Sequence, residues 1–344
     1  MGFSSLHSLE VTLFERRAIL LITVVFALHA GPLQAGVGHG LLSLFGRGTI
    51  RTPLPASRNA VPEFSPVGVQ RVVMIILENG NPERAESQQF MIDRAKEGMV
   101  LRQYFAVAHP SQPNYIALIS GSLAGTNGDW TGTLDRDHLG KHLPARWKVY
   151  AEDYPTPNNP NTCSSSRQAG TYVRRHVPFL NFKGVDCSAI VRLNSDQTPQ
   201  IVSSSLPAPR DVVKVTQALR DDLAGGTLPA FVMIIPNLTD DGHSRSNMAN
   251  ANDWLVRYIA PLLKDTAFTT DTVFVLTFDE DDNEDADHPN RVYAVLWGDH
   301  VLQGVNDDIY DHEDLFVTIA ALLKVTPLPA TEEARARPIG GIWK

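Results

Sequence analysis

Six short polar groups carry the side chains able to do chemistry: Glu78-Asn79, His109-Pro110-Ser111, Arg175-His176, Asp241-Gly242-His243, Asp279-Glu280 and His312. Carboxylates such as Glu78 and Asp279 suit a hard divalent cation, with Asn79 and Glu280 assisting. Such a cation lowers the pKa of a bound hydroxyl and holds anionic oxygens. Ser111 lies two residues before Pro113, so it is expected at a helix N-terminus, where free N–H groups and the dipole favour an anion. Histidines such as His243 and His312 can contact anionic oxygens, bind a second metal or protonate a leaving group at mildly acidic pH. Together these groups make a toolkit for phosphoryl transfer, in which an anionic ester must be neutralised before phosphorus is attacked. Each group alone also has a plainer reading: Ser111 as a helix cap, Asp279–Asp287 as a solvated acidic loop, His243 as a loop histidine.

The elements that must position these residues are legible from apolar runs. Arg71–Leu77, "RVVMIIL", reads as a strand buried on both faces. Further strands are expected at Leu101–Ala108, Trp147–Ala151, Ala230–Ile235, Thr272–Phe278 and Val292–Trp297. Helices are expected over Pro82–Gly98, from Pro113 to Ser120, over Asn250–Lys264 and over His312–Val325. Strands alternating with helices predict an α/β fold, a mostly parallel central sheet with helices on both faces. Residues 155–210, rich in Pro, Ser and Asn, are expected to form an irregular insertion walling the site. Glu78, Ser111, the Asn237–His243 segment and Asp279 each follow an expected strand. Ligands in open parallel sheets bind outside the carboxyl ends of strands, so these clusters should meet in one crevice.

The 344 residues are 43% hydrophobic and 20% charged, enough for an ordinary core. A net charge of −8 without a basic stripe argues against a nucleic-acid partner. Arg16-Arg17 before the apolar run Ala18–Leu28 reads as an export signal, 1–35, cleaved after Ala30 or Ala35. An uncleaved anchor and a twin-arginine route are the alternatives. After signal removal no stable membrane insertion is expected, and the destination is secreted or periplasmic. Residues 36–67, rich in Gly, Pro, Ser and Arg, are expected to be a flexible linker, with order beginning near Val67. The only two cysteines, Cys163 and Cys187, imply one disulfide in an exported chain; two free buried thiols are the alternative.

The blocks "ILENG", "HPSQPNYIALISGS", "AED", "YVRRHVPF", "IPNLTDDGH", "TFDEDD" and "DHEDLFVTI" occur in the order found in the bacterial phosphoesterase family. The chain resembles the family's secreted acid phosphatases over Val69 to Trp343, which makes 68–344 a phosphoesterase domain of alkaline-phosphatase-like fold. The resemblance implies that Glu78 and Asn79 bind metal and phosphate and that Ser111 becomes transiently phosphorylated. It also implies that Asp279 and Glu280 complete the divalent-metal site, that His243 is the histidine of an Asp-x-His element and that His312 is placed to contact phosphate or metal. Arg175 and His176 match a basic pair bordering the substrate entrance. The implied substrate is a phosphate ester, foremost a phosphomonoester and including phosphoinositides. Two departures stand out: Ser244 replaces an acidic residue after Asp241-Gly242-His243, and Thr126–Trp130 lacks a cysteine. A phospholipase C-type diesterase and an inactive binding protein of the same fold are the competing expectations.

Overall fold

A computed structural model describes residues 50–52, 63–126, 128–129, 132–159, 161–195, 214–243, 247–283, 289–325 and 336–344. The expected export signal, Ser244, Trp130 and the end of the acidic run lie outside the described residues. Twelve strands occur in chain order among the described residues: β1 Ile50–Arg51, β2 Arg71–Leu77, β3 Met99–Phe105, β4 Ala108–His109, β5 Trp147–Glu152, β6 Gln168–Ala169, β7 Tyr172–Val173, β8 Ile190–Leu193, β9 Phe231–Ile235, β10 Thr272–Phe278, β11 Ala294–Gly298 and β12 Gly304–Asp311. Eight of them form one sheet in the order β12-β3-β11-β10-β2-β9-β5-β8. Only β11 runs against its neighbours β10 and β3; the other pairings are parallel. The sheet is therefore the mostly parallel α/β sheet expected.

Every residue of β10 is buried, as is β2 after Arg71, so these strands bury both faces and their unbroken apolar runs follow. Pairing of β10 with β2 sets Phe278 opposite Leu77. The next residues, Asp279 and Glu78, must therefore emerge side by side. The Ser111–Ser120 helix is buried throughout and stops at Gly121, whose φ of 70° suits the left-handed C-terminal position. It packs against the helix His312–Leu322 and against the short helical turns Arg174–His176 and Pro178–Asn181.

Several element boundaries differ from expectation. The expected helix Pro82–Gly98 is two helices, Pro82–Ala85 and Gln89–Glu97. Asn81 caps the start of the first one, accepting from Arg84 N–H at 3.1 Å, and beyond its end Ser87 Oγ donates to the Arg84 carbonyl at 2.7 Å. The strand expected over Leu101–Ala108 divides into β3 and β4, because the Ala106 N–H leaves the ladder for the Asn290 carbonyl, 2.8 Å away. Asn250–Lys264 is α-helical only over Met248–Trp254, then forms a π turn, Leu255–Ile259, and a 3-10 turn, Leu262–Lys264. The irregular insertion hides β8, which joins the main sheet beside β5. The insertion also contains the Cys163–Cys187 disulfide, with Cα atoms 4.9 Å apart. Within the segment expected to be a linker, Ile50–Arg51 pairs antiparallel with Ala108–His109. No helix among the described residues is long and apolar enough to cross a membrane.

Candidate active site

The carboxyl ends of β2, β9 and β10 deliver an acidic cluster. Glu78 and Asp279 are fully buried, Asp241 is 1% exposed and Glu280 3%. The backbone knits the three strand ends together. Glu78 N–H donates to the Asp241 carbonyl at 2.7 Å, and Gly80 N–H to the Glu280 carbonyl at 3.0 Å. Asn79 N–H donates to Asp279 Oδ1 at 3.1 Å. Two glycines permit these approaches. A Cβ on Gly80 would lie 2.1 Å from the Phe278 ring, and Gly242 holds φ at 92° beside the Glu78 carbonyl.

Ser111, first residue of its helix, faces this cluster. Its hydroxyl donates to Glu280 Oε1 at 2.8 Å and lies 3.4 Å from Glu78 Oε2. The other Glu280 oxygen meets His109 Nδ1. Asn114, one helical turn along, locks the approach: its Oδ1 accepts from the Val107 and Ala108 N–H groups at 3.0 Å, and its Nδ2 donates to the Ala108 carbonyl at 2.7 Å. The Gln112 N–H at the helix start already donates to the Asp129 carboxylate at 3.1 Å, so this end does receive an anion.

The basic pair divides. Arg175 is partly exposed, with Nε 3.5 Å from Asp129 Oδ2, and its charge acts on Glu78, Asp241 and Glu280. His176, implied by the resemblance to border the substrate entrance, is more deeply buried than Arg175. It is buried, with Nε2 3.0 Å from Glu78 Oε1 and Nδ1 3.8 Å from Asp241 Oδ2. The Tyr115 ring stacks on it at 5.0 Å, which fixes the imidazole in place. Desolvation rather than charge decides its state: burial, then Arg175 and His243, hold His176 well below the usual histidine range.

The two remaining histidines also separate. His243 is exposed at the rim, and its backbone N–H donates to Asp241 Oδ1 at 2.9 Å. Partial burial and Arg175 push its pKa down, while Asp129 opposes them. His312 is fully buried, and both ring nitrogens are engaged. Nε2 is 2.6 Å from the Asp279 carbonyl and Nδ1 is 2.9 Å from the Tyr104 hydroxyl. It therefore braces the end of β10, at the residue expected to hold metal.

Burial, first of all, raises Glu78 and Asp279 well above the carboxylate range and pushes Asp241 and Glu280 up to about 8. Mutual repulsion adds to this, and Arg175 opposes it at Glu78, Asp241 and Glu280. Such crowding is costly unless a cation compensates it. Asp279 Oδ2, Asp241 Oδ2 and Asn79 Oδ1 are buried without a hydrogen-bond donor, and Glu78 Oε1 faces the His176 ring at 3.0 Å. An all-oxygen donor set of this kind fits a hard divalent cation. Among the described residues no three acidic, His or Cys side chains already stand in a metal-ligand arrangement, so the fit rests on donor chemistry and on these unsatisfied oxygens. Glu280, expected to assist at the metal, has one oxygen on the Ser111 hydroxyl and the other on His109.

Sequence reasoning gave no role to Asp241, His109, Asn114, Tyr115 or Asp129. Asp241 and His109 sit inside the strand-end clusters already noted, and Asn114 and Tyr115 inside the "HPSQPNY" block, so position alone could have found them. Nothing local marks Asp129.

Comparison with known proteins gives the family and the fold. The family model described as "Phosphoesterase family" matches residues 83–326. A phosphate-repressible acid phosphatase of Penicillium chrysogenum is 32% identical over 285 residues, covering 78% of this chain and 64% of that one. An acid phosphatase of Aspergillus fumigatus is 30% identical over 74% of this chain and 55% of its own length. The chain thus spans less than two thirds of these fungal relatives. A phosphatidylinositol-3-phosphatase of Mycobacterium tuberculosis is 29% identical over 83% of this chain and 85% of its own. The relatives include fungal and mycobacterial proteins, so the membership found is to the family as a whole and not to a bacterial branch. Among solved structures, a protein in the alkaline phosphatase superfamily from Vibrio parahaemolyticus superposes with a TM-score of 0.53 at 14% identity, over 78% of this chain and 69% of that one, a likeness of fold. With the strand-end acids, the serine at its helix start and a family match across most of the chain, this protein belongs to the Phosphoesterase family.

Proposed function

We propose that this chain is an exported, metal-assisted phosphoric ester hydrolase of the acid phosphatase type, acting on phosphomonoesters through a phosphoserine at Ser111. One observation carries the reading: the Ser111 hydroxyl lies against the buried acidic cluster, 2.8 Å from Glu280 Oε1, at the start of its helix. The names of the fungal and mycobacterial relatives support the same chemistry, and a phosphoinositide is a natural candidate substrate. The disulfide supports export, since such bonds persist in oxidising compartments.

A divalent cation held by Glu78, Asp279 and Asp241, with Asn79 Oδ1 beside them, would supply the positive charge that brings a phosphoryl group to Ser111. The chain's own residues do the rest. Arg175, partly exposed, attracts and orients the anionic ester. With a cation's charge offsetting the crowding that raises its pKa, Glu280 Oε1 would take the Ser111 proton as Oγ bonds to phosphorus and the ester P–O bond breaks. His243, at the solvent rim, protonates the leaving alkoxide. Water then attacks the phosphoserine, releasing inorganic phosphate and restoring Ser111. His109 keeps Glu280 turned towards the serine.

The test is Ser111→Ala assayed on p-nitrophenyl phosphate and on its diester analogue. Turnover should vanish while phosphate still binds, and acid quenching of the wild type should trap label on Ser111. Substantial activity in Ser111→Ala would require direct attack by water, and a preference for the diester would move the chain to the phospholipase C type.

A further inference from the structure

The segment ahead of the family-matched region reaches the catalytic serine through a short chain of contacts. Ile50 and Arg51 pair with His109 and Ala108, and Thr52 N–H donates to the Val107 carbonyl at 2.9 Å. The backbone so covered is the one that leads into Ser111 and carries His109 to Glu280. Asn290 ties the same place to the acidic loop. Its Nδ2 donates to the Ala108 carbonyl at 2.8 Å and to Thr52 Oγ1 at 3.4 Å, and its Oδ1 accepts from Asp281 N–H at 2.8 Å. Arg51 Nη2 meets Glu313 Oε1 at 2.9 Å, and the Glu313 side chain is only 1% exposed. Glu313 adjoins His312, the brace of the β10 end. Further along, Gly341 N–H donates to the Glu63 carbonyl at 2.8 Å and Phe64 packs edge-to-face on Trp343 at 5.6 Å, so the segment is also held at its other end.

We propose that Ile50–Thr52 is a strap belonging to the active site, a positioning element that holds His109 and thereby keeps Glu280 facing Ser111. The inference rests on the proposed role of Ser111 and extends it to residues ahead of the family match at 83–326. The physical reasons are two. A two-residue strand, β4, has little ladder of its own, so the β1 pairing and the Asn290 bridge on one side join the Asn114 side chain on the other in fixing where its backbone lies. Losing Arg51 also strips a buried carboxylate of a cation, which loosens the start of the His312 helix. Mature forms that keep full activity must therefore begin before Ile50.

The test uses the full mature chain carrying Arg51→Gln, Arg51→Lys or Thr52→Pro, the last removing the N–H that bonds Val107. Displacement of a catalytic group by a fraction of an ångström to about 1 Å lowers kcat by between about tenfold and about a hundredfold. That loss is expected in Arg51→Gln and Thr52→Pro, with KM for p-nitrophenyl phosphate unchanged within about twofold, and Arg51→Lys should recover most of the rate. Rates are divided by the folded fraction measured by circular dichroism; should Thr52→Pro not fold, the two Arg51 variants decide. Wild-type kcat per folded molecule beside an inactive Ser111→Ala overturns the strap alone. An active Ser111→Ala overturns the nucleophile reading, and with it the strap's route to catalysis.

Discussion

Replacing His312 separates a brace from a proton donor. Its ring is fully buried between the Tyr104 hydroxyl, 2.9 Å from Nδ1, and the Asp279 carbonyl, 2.6 Å from Nε2. That pair of partners assigns one tautomer, with Nε2–H donating to the carbonyl and Nδ1 accepting from the hydroxyl. Burial pushes the pKa down to about 4, with the Asp279 carbonyl and Asp311 opposing it, so the ring stays neutral from pH 5 to 8 and has no extra proton to deliver. His312→Ala strands two buried polar groups at about 1–3 kcal/mol each, so a loss of roughly 2–6 kcal/mol is expected. His312→Gln can still donate to the carbonyl, which should recover about half of that. Urea unfolding of chelated protein measures the change as a lower midpoint at constant slope. Because the end of β10 carries Asp279, kcat should also fall, by about tenfold to about a hundredfold. The limbs of the pH profile of kcat/KM should stay where they were. A His312 variant as stable as wild type that loses one limb would show that the ring transfers a proton, and the reasoning would be wrong.

Two further outcomes follow from the acidic cluster. Glu78→Ala or Asp279→Ala should lose bound divalent metal and nearly all hydrolysis while still folding, because each removes a buried carboxylate from the crowded donor set; full occupancy by elemental analysis would exclude these residues as ligands. In metal-free protein, burial raises Asp241 and Glu280 to about 8, above their unfolded values, so the native state holds these protons more tightly. Their stabilisation is then complete below about pH 4 and is lost as pH rises towards 8. The melting temperature of chelated protein should fall over pH 5 to 8 and saturating divalent cation should restore it, whereas a flat profile with chelator would contradict the crowding.

What the sequence by itself determined is local. "RVVMIIL" and "TVFVLTF" read as strands buried on both faces because an unbroken apolar run of that length can hide its side chains only inside a covered sheet. The polar residues directly after them, Glu78 and Asp279, had to lie at strand ends, and parallel pairing then puts strand ends on one side. Ser111 before Pro113 fits a helix start for the same near-neighbour reasons. The tertiary structure decided the partners. His312 and His243 look alike as histidines after polar residues, yet Tyr104 from β3 closes one ring off and solvent reaches the other. His176 comes from an insertion without periodicity and becomes a buried neighbour of Glu78 where its helical turn packs on the Ser111 helix, with Tyr115 stacked on the ring. Ile50–Thr52 has the composition of a linker and acquires a place only from the strand it meets more than fifty residues later. Backbone conformation follows burial pattern over a few neighbouring residues, whereas protonation and the direction of a lone pair depend on dielectric and on contacts within a few ångströms, which chain folding draws from anywhere in the sequence.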